Sequence, residues 1–114
     1  MTDATTTFFE ELAARGHEPA LAKVTGTLRF DLGDGGARRE RWLITITKGD
    51  VALSRRNAKA DCVVRSDRVL FDRIATGRAN ALAALLRGAI DVEGDRGLLL
   101  AFQHTFPGPP RKGE

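Results

Sequence analysis

Apolar positions along the chain alternate between a helical and a strand period, and each change of period marks a new element. Phe8, Phe9, Leu12 and Ala13 recur at helical spacing. Thr7-Phe8-Phe9-Glu10 has the Thr-x-x-Glu form of a capping box and Gly16 is a natural stop, so a short helix is predicted between them. His17 to Lys23, which contains Pro19, reads as a connection. From Thr27 to Leu32 the period becomes two, with Leu28, Phe30 and Leu32 on one face and Thr27, Arg29 and Asp31 on the other. Gly33-Asp34-Gly35-Gly36 reads as a flexible turn. A second strand, Arg41 to Lys48, opposes Trp42, Ile44 and Ile46 to Leu43, Thr45 and Thr47. Gly49-Asp50, with Gly first, suits a two-residue type II′ hairpin loop. That loop pairs Lys48 with Val51 and Ile46 with Leu53, placing Val51 and Leu53 on the face of Trp42.

Beyond a loop from Asn57 to Ala60, Cys62 to Arg65 reads as a fourth strand. Asp67 is positioned to cap a helix carrying Leu70, Phe71 and Ile74 that stops at Gly77. Asn80 caps another, with Leu82, Leu85 and Leu86, stopped by Gly88. Ala89 to Glu93 forms a fifth strand with Ile90 and Val92 inward. Asp95 caps a last helix whose buried stripe is Leu98, Leu99, Phe102 and Phe106. Pro107-Gly108-Pro109-Pro110 ends it, and residues 107–114 are expected to be a disordered polar tail. The order is α-β-β-β-β-α-α-β-α, an α+β arrangement in one domain over residues 1–106, with one sheet face covered by apolar helix sides.

Length and composition change this picture little. At 114 residues, 42% hydrophobic and 29% charged, the chain fits one globular domain able to bury roughly two thirds of its unfolded surface. There is no apolar run long enough to span a bilayer, no secretory start and no Ser-Lys-Leu ending, so a cytoplasmic protein is expected. The single cysteine, Cys62, allows no internal disulfide and no zinc knuckle. A net charge of +3 from interspersed signs does not argue for nucleic acid.

Four segments, taken in order and spacing, resemble the sterol carrier protein type 2 (sterol-binding) domain family over roughly Phe8 to Phe106. Trp42-Leu43-Ile44-Thr45-Ile46 with Lys48-Gly49-Asp50-Val51 looks like its central hairpin. Ala60-Asp61-Cys62-Val63-Val64-Arg65-Ser66-Asp67 looks like its strand entering a helix. Phe71-Asp72-Arg73-Ile74-Ala75-Thr76-Gly77 followed by Asn80-Ala81 is similar to its two-helix segment. Leu86-Arg87-Gly88-Ala89-Ile90-Asp91-Val92-Glu93-Gly94-Asp95 resembles its arginine- or lysine-glycine, strand, glycine-aspartate signature. The resemblance implies a mixed five-stranded sheet with helices packed over it and a hydrophobic tunnel for a sterol, fatty acid or phospholipid, with no cofactor. The family also serves as an accessory or dimerising domain, so fold alone does not settle lipid carriage.

On this basis Trp42, Ile44, Ile46, Phe71, Ile74, Leu82, Leu85, Leu86, Leu99, Phe102 and Phe106 are the candidate lining. The plainer reading is that they fill a close-packed core. Arg38, Arg39, Arg41, Arg55, Arg56 and Lys59 are expected to converge at one end of the sheet. They would make either a contact for an anionic membrane or simply a solvated rim. Cys62 has neither histidine near it in sequence and reads as structural. His17 and His104 have no ligand spacing for a metal. The glycine-rich segment precedes arginines rather than a helix, so it is no phosphate loop. Asp91 and Glu93 alternate outward on one strand and form no acid–base pair. No nucleophile, base and oxyanion constellation can be assembled, which argues against an enzyme. The expected function is a small lipid-binding carrier gated by its first or last helix. The alternative is a ligand-free accessory or dimerisation domain docking on an enzyme.

Overall fold

The computed structural model describes residues 4–33 and 39–106. Most of the expected glycine-rich turn, Arg38, the side chain of Arg39 and the tail 107–114 lie outside the described residues. Within them the elements are helix α1 (Ala4–Arg15), strands β1 (Thr25–Gly33), β2 (Arg39–Thr47), β3 (Asp50–Ser54) and β4 (Cys62–Asp67), helices α2 (Arg68–Ala75) and α3 (Ala81–Leu86), strand β5 (Asp91–Gly94) and helix α4 (Arg96–Phe102). Short 3-10 turns at Pro19–Leu21 and Gln103–Thr105 complete the connection after α1 and the exit from α4.

The five strands form one mixed sheet in the order β3-β2-β1-β4-β5. Neighbours are antiparallel except β1 and β4, which run parallel at its centre. The even-numbered positions of β1, β2 and β4 and the odd ones of β3 share the inner face. Leu28 stands beside Ile44 and Cys62, Phe30 beside Trp42 and Val64, and Ile46 beside Val51. Helices α1, α2 and α4 cover that face, and the core lies between. Ser54 ends β3 level with Leu43 and Arg29, and Cys62 starts β4 level with Leu28. Residues 55–61 therefore cross the outer face directly, where Arg29 Nη1 donates to the Ala58 carbonyl at 3.1 Å.

Caps fall where short polar side chains precede apolar runs. Asp67 accepts from the Val69 amide, Asn80 from Ala83 and Asp95 from Gly97, each satisfying a donor that the helix leaves open. At the β5–α4 corner Gly94 has φ +91° and the Asp95 amide donates to the Asp61 carbonyl at 2.8 Å. A Cβ at Gly94 would lie 2.2 Å from that same carbonyl oxygen, so only glycine fits.

Three expectations are corrected. The Thr7–Glu10 capping box is not the start of α1, which already includes Ala4. Its first turn is capped from another element, because Asp72 of α2 accepts from both the Thr5 amide and the Thr5 hydroxyl. The hairpin loop is Lys48-Gly49, not Gly49-Asp50: Thr47 pairs with Asp50, Ile46 with Val51 and Ile44 with Leu53. Lys48 and Gly49 both have positive φ (47° and 89°), the requirement of a type I′ turn. The register moves by two residues, so every side chain keeps its expected face. In α3 the inward positions are Ala81 and Ala84, with Leu85 half-buried. Leu82 and Leu86 point to solvent. The run Ala81-Leu82-Ala83-Ala84-Leu85-Leu86 contains two helical stripes of similar hydrophobicity, and periodicity cannot choose between them.

Candidate functional site

The interior is built around Phe9, which α1 projects onto the sheet. Its ring centroid lies 4.9 Å from Trp42, 5.3 Å from Phe30 and 5.6 Å from Phe71. Phe102 continues the cluster from α4, 5.4 Å from Phe30, and Phe106 closes it by stacking on Phe8 at 5.1 Å. The chain's six phenylalanines and one tryptophan all belong to this cluster. Offset and edge-on rings at such separations add attraction beyond their area. Of the candidate lining residues, Trp42, Ile44, Ile46, Phe71, Ile74, Leu99 and Phe102 are buried here, and Leu85 and Phe106 pack at its margin. Leu86, at 79% exposure, and Leu82, at 36%, take no part in it.

One polar atom of this aromatic cluster is buried without a partner. Trp42 is 2% exposed, and its indole Nε1 is buried with no hydrogen bond. The Arg55 guanidinium lies over the same ring, 4.0 Å from its centroid, and its Nε donates to the Arg41 carbonyl at 2.7 Å. Around this edge runs a chain of ion pairs. Arg55 meets Glu40 at 3.5 Å, Glu40 meets Arg68 at 2.7 Å, and Arg68 meets Asp72 at 3.6 Å. Asp72 in turn holds Thr5.

Helix α1 is therefore a cover tied down at both ends. Its N-terminal turn hangs on the Asp72 carboxylate. At its C-terminal end the Val51 amide donates to the Gly16 carbonyl at 2.7 Å, the Glu18 amide to Gly49 at 2.8 Å, and His17 Nδ1 lies 2.8 Å from Asp50. Along its flank opens a cleft of about 430 Å³, bordered by Thr7, Phe8, Glu11 and Arg15 of α1 and by Ala75, Thr76 and Thr105.

The remaining sequence candidates separate clearly. In the arginine rim, Arg41 and Arg55 do meet, but Arg41 lies 3.8 Å from the buried Asp31 and Arg55 pairs with Glu40. Arg56 and Lys59 are exposed. Cys62 is fully buried at the start of β4, and burial, with Asp95 nearby, pushes its thiol above the ordinary value. It is consequently protonated at neutral pH and a poor nucleophile. His17 has a carboxylate partner in Asp50, whereas His104 is exposed in the turn after α4. Asp91 and Glu93 are exposed, and Glu93 pairs with Arg65 at 2.8 Å. Among the described residues no three His, Cys, Asp or Glu side chains gather where they could hold a metal ion. No described helix is long and apolar enough to cross a membrane. The residues that sequence reasoning misses are Asp72, Glu40 and Asp31. Each is a lone carboxylate in an amphipathic element, and nothing in its neighbourhood signals a distant partner.

The same architecture occurs in sterol carrier protein 2 from Yarrowia lipolytica in its apo form. That structure aligns with a TM-score of 0.72 at 18% identity over 89% of this chain and 88% of that one. Palmitated SCP2L2 from Aedes aegypti aligns with a TM-score of 0.70 at 20% identity, over 92% and 96%. At the level of sequence, 98 residues are 33% identical to a protein of Kocuria rhizophila described as a probable cell division protein WhiA. The match takes in 82% of this chain but spans only 27% of that relative's length. The model of the SCP-2 sterol transfer family matches residues 9–107, nearly the whole described fold, and the chain belongs to that family of sterol- and lipid-binding domains.

Proposed function

We propose that this domain carries one hydrophobic ligand, a sterol or a fatty acyl chain, in the apolar interior between the sheet and helices α1, α2 and α4. The observation that carries the reading is the buried, unpartnered Trp42 Nε1 at the edge of an otherwise apolar cluster. A lone buried N–H costs on the order of 1–3 kcal/mol, and a ligand hydroxyl or carboxylate oxygen against it recovers that cost. Affinity then comes from desolvation, at about 0.8 kcal/mol per methylene removed from water. The proposed lining is Trp42, Ile44, Ile46, Phe71, Ile74, Leu85, Leu99, Phe102 and Phe106. The rings meet one another closely, so a ligand enters by displacing them. Terminal helices open most easily, which makes α1 and α4 the gates. The cleft beside Phe8 and Ala75 is where α1 parts from α2.

The chain has one tryptophan and no tyrosine, so its intrinsic emission reports this interior directly. Titration with palmitate or with cholesterol is expected to change Trp42 emission saturably, with a midpoint on the order of micromolar. Leu99→Arg and Phe102→Asp are expected to abolish the change. If a folded Leu99→Arg variant binds as tightly as the parent, the ligand lies elsewhere. A parent protein whose emission ignores both ligands, and that carries no lipid in native mass spectrometry, is a ligand-free accessory or dimerising domain instead.

A further inference from the structure

Helix α1 is fastened differently at its two ends. At the C-terminal end the ties are made by backbone. The Gly16 carbonyl accepts from the Val51 amide at 2.7 Å, the Gly49 carbonyl accepts from the Glu18 amide at 2.8 Å, and His17 bridges to Asp50 between them. Gly16 has φ +74°, a conformation that ends the helix and turns the chain toward β3. At the N-terminal end the first turn contains no acidic residue, and a side chain of α2 makes the tie. The Asp72 carboxylate accepts from the Thr5 amide at 3.2 Å and from the Thr5 hydroxyl, and Thr5 is fully buried there. Arg68, one turn earlier on α2, meets Asp72 at 3.6 Å, and the contacts continue through Glu40 and Arg55 to the Trp42 ring. Phe9, from the middle of α1, stacks on that same ring. Between the two fastenings the cleft of about 430 Å³ follows Ala4, Thr7, Phe8, Glu11 and Arg15, a stripe running the length of the helix.

The geometry points to α1 as a lid, hinged at Gly16–Glu18 and latched at Thr5 by Asp72. Release of one carboxylate frees the N-terminal turn, whereas the hinge keeps its backbone bonds. Of the 12 residues of α1, Thr5, Phe9 and Leu12 are buried, so lifting the helix exposes far less apolar surface than unfolding the domain. The cleft gives the helix room to move, and the same motion lifts Phe9 off Trp42 and uncovers the aromatic interior. Arg68 is a positioning residue in this device, because it holds the Asp72 carboxylate while Glu40 and Arg55 hold Arg68 in turn. The latch and the Trp42 ring beneath the lid are thus two ends of one line of contacts. Ligand entry by this opening rests on the carrier function proposed above; the opening itself does not.

The test is amide hydrogen exchange of the whole, ligand-free chain, read separately over α1, over β1 and β2, and over α4. Asp72→Ala is expected to speed exchange of α1 about tenfold and to leave the strands and α4 within about twofold of the parent. Thr5→Val keeps the volume but not the hydroxyl, and is expected to speed α1 about threefold. The double variant should exchange no faster than Asp72→Ala alone, because both changes break one contact. Asp50→Ala, at the hinge, should change α1 by less than about twofold, since the backbone bonds there remain. In stopped flow, palmitate association and dissociation followed by Trp42 emission are both expected to quicken about tenfold in Asp72→Ala, with little change in affinity. Unchanged α1 exchange in Asp72→Ala overturns the proposal, as does equal acceleration of helix and sheet, which is global destabilisation and no lid. It is equally overturned if Asp50→Ala frees α1 more than Asp72→Ala does, or if the parent binds palmitate at rates that Asp72→Ala leaves unmoved. Thr5→Val supplies the reading if Asp72→Ala fails to fold. A parent that ignores palmitate refutes the carrier function alone, and exchange over α1 then decides the lid.

Discussion

On the inner face of the sheet Leu28, Phe30 and Leu32 meet Ile44, Trp42 and the rings carried by the helices. On the outer face, one residue along each strand, Arg41, Asp31, Arg65 and Asp91 form a row of alternating charge across four strands. The inner contacts are apolar and non-directional, so they tolerate repacking provided volume is kept. The outer contacts are directional. Asp31, only 5% exposed on a face without helices, accepts from Arg29 Nε and Nη2 at 3.0 and 3.1 Å, with Arg41 3.8 Å away. The crossing loop 55–61 shields this group, since Arg29 also reaches the Ala58 carbonyl. A sheet face can thus be partly buried by register and a loop alone, and its energetics then depend on pairing rather than on area.

The largest expected effect is on the inner face. Phe30→Ala removes a fully buried ring touching Phe9, Phe71 and Phe102, and should cost about 3–5 kcal/mol in urea denaturation. Asp31→Ala should cost less, about 2–3 kcal/mol, by leaving the largely shielded Arg29 guanidinium without its carboxylate. Combining it with Arg29→Met should recover most of that loss, whereas no second substitution on the outer face should rescue Phe30→Ala. Equal costs for the two single variants, or no recovery in the double, would erase the distinction between the faces. Glu93→Gln sets the lower end of the scale. Its pair with Arg65 stands in solvent, so the denaturation midpoint should not change measurably at physiological salt.

Much of the inner face is legible in the sequence. Alternation in Thr27–Leu32 and Arg41–Lys48 assigns the buried side of β1 and β2 correctly, because a half-buried strand has a period of two. The caps Asp67, Asn80 and Asp95 are equally plain, since each acts on an amide two or three residues away. The hairpin loop lies one residue from its expected place, because Lys48 at positive φ is not what side-chain preference suggests. The start of α1 escapes sequence reasoning for a different reason: its cap, Asp72, is 67 residues away. In the candidate interior, Trp42, Phe71 and Phe102 are buried as their patterns predict. Leu82 and Leu86 are not, because an all-apolar run has no polar side to orient it.

What the sequence determined by itself is what short-range physics controls: the order of elements, the faces of the strands, the caps of α2, α3 and α4 and the glycine corner before α4. Tertiary structure alone decided which stripe of α3 turns inward and which carboxylates leave solvent. It also brought the seven aromatic side chains into one cluster while leaving a lone indole N–H at its edge. These outcomes depend on lateral register and on contacts between residues far apart in the chain, where a single side chain's chemistry carries no record of the partner it will meet.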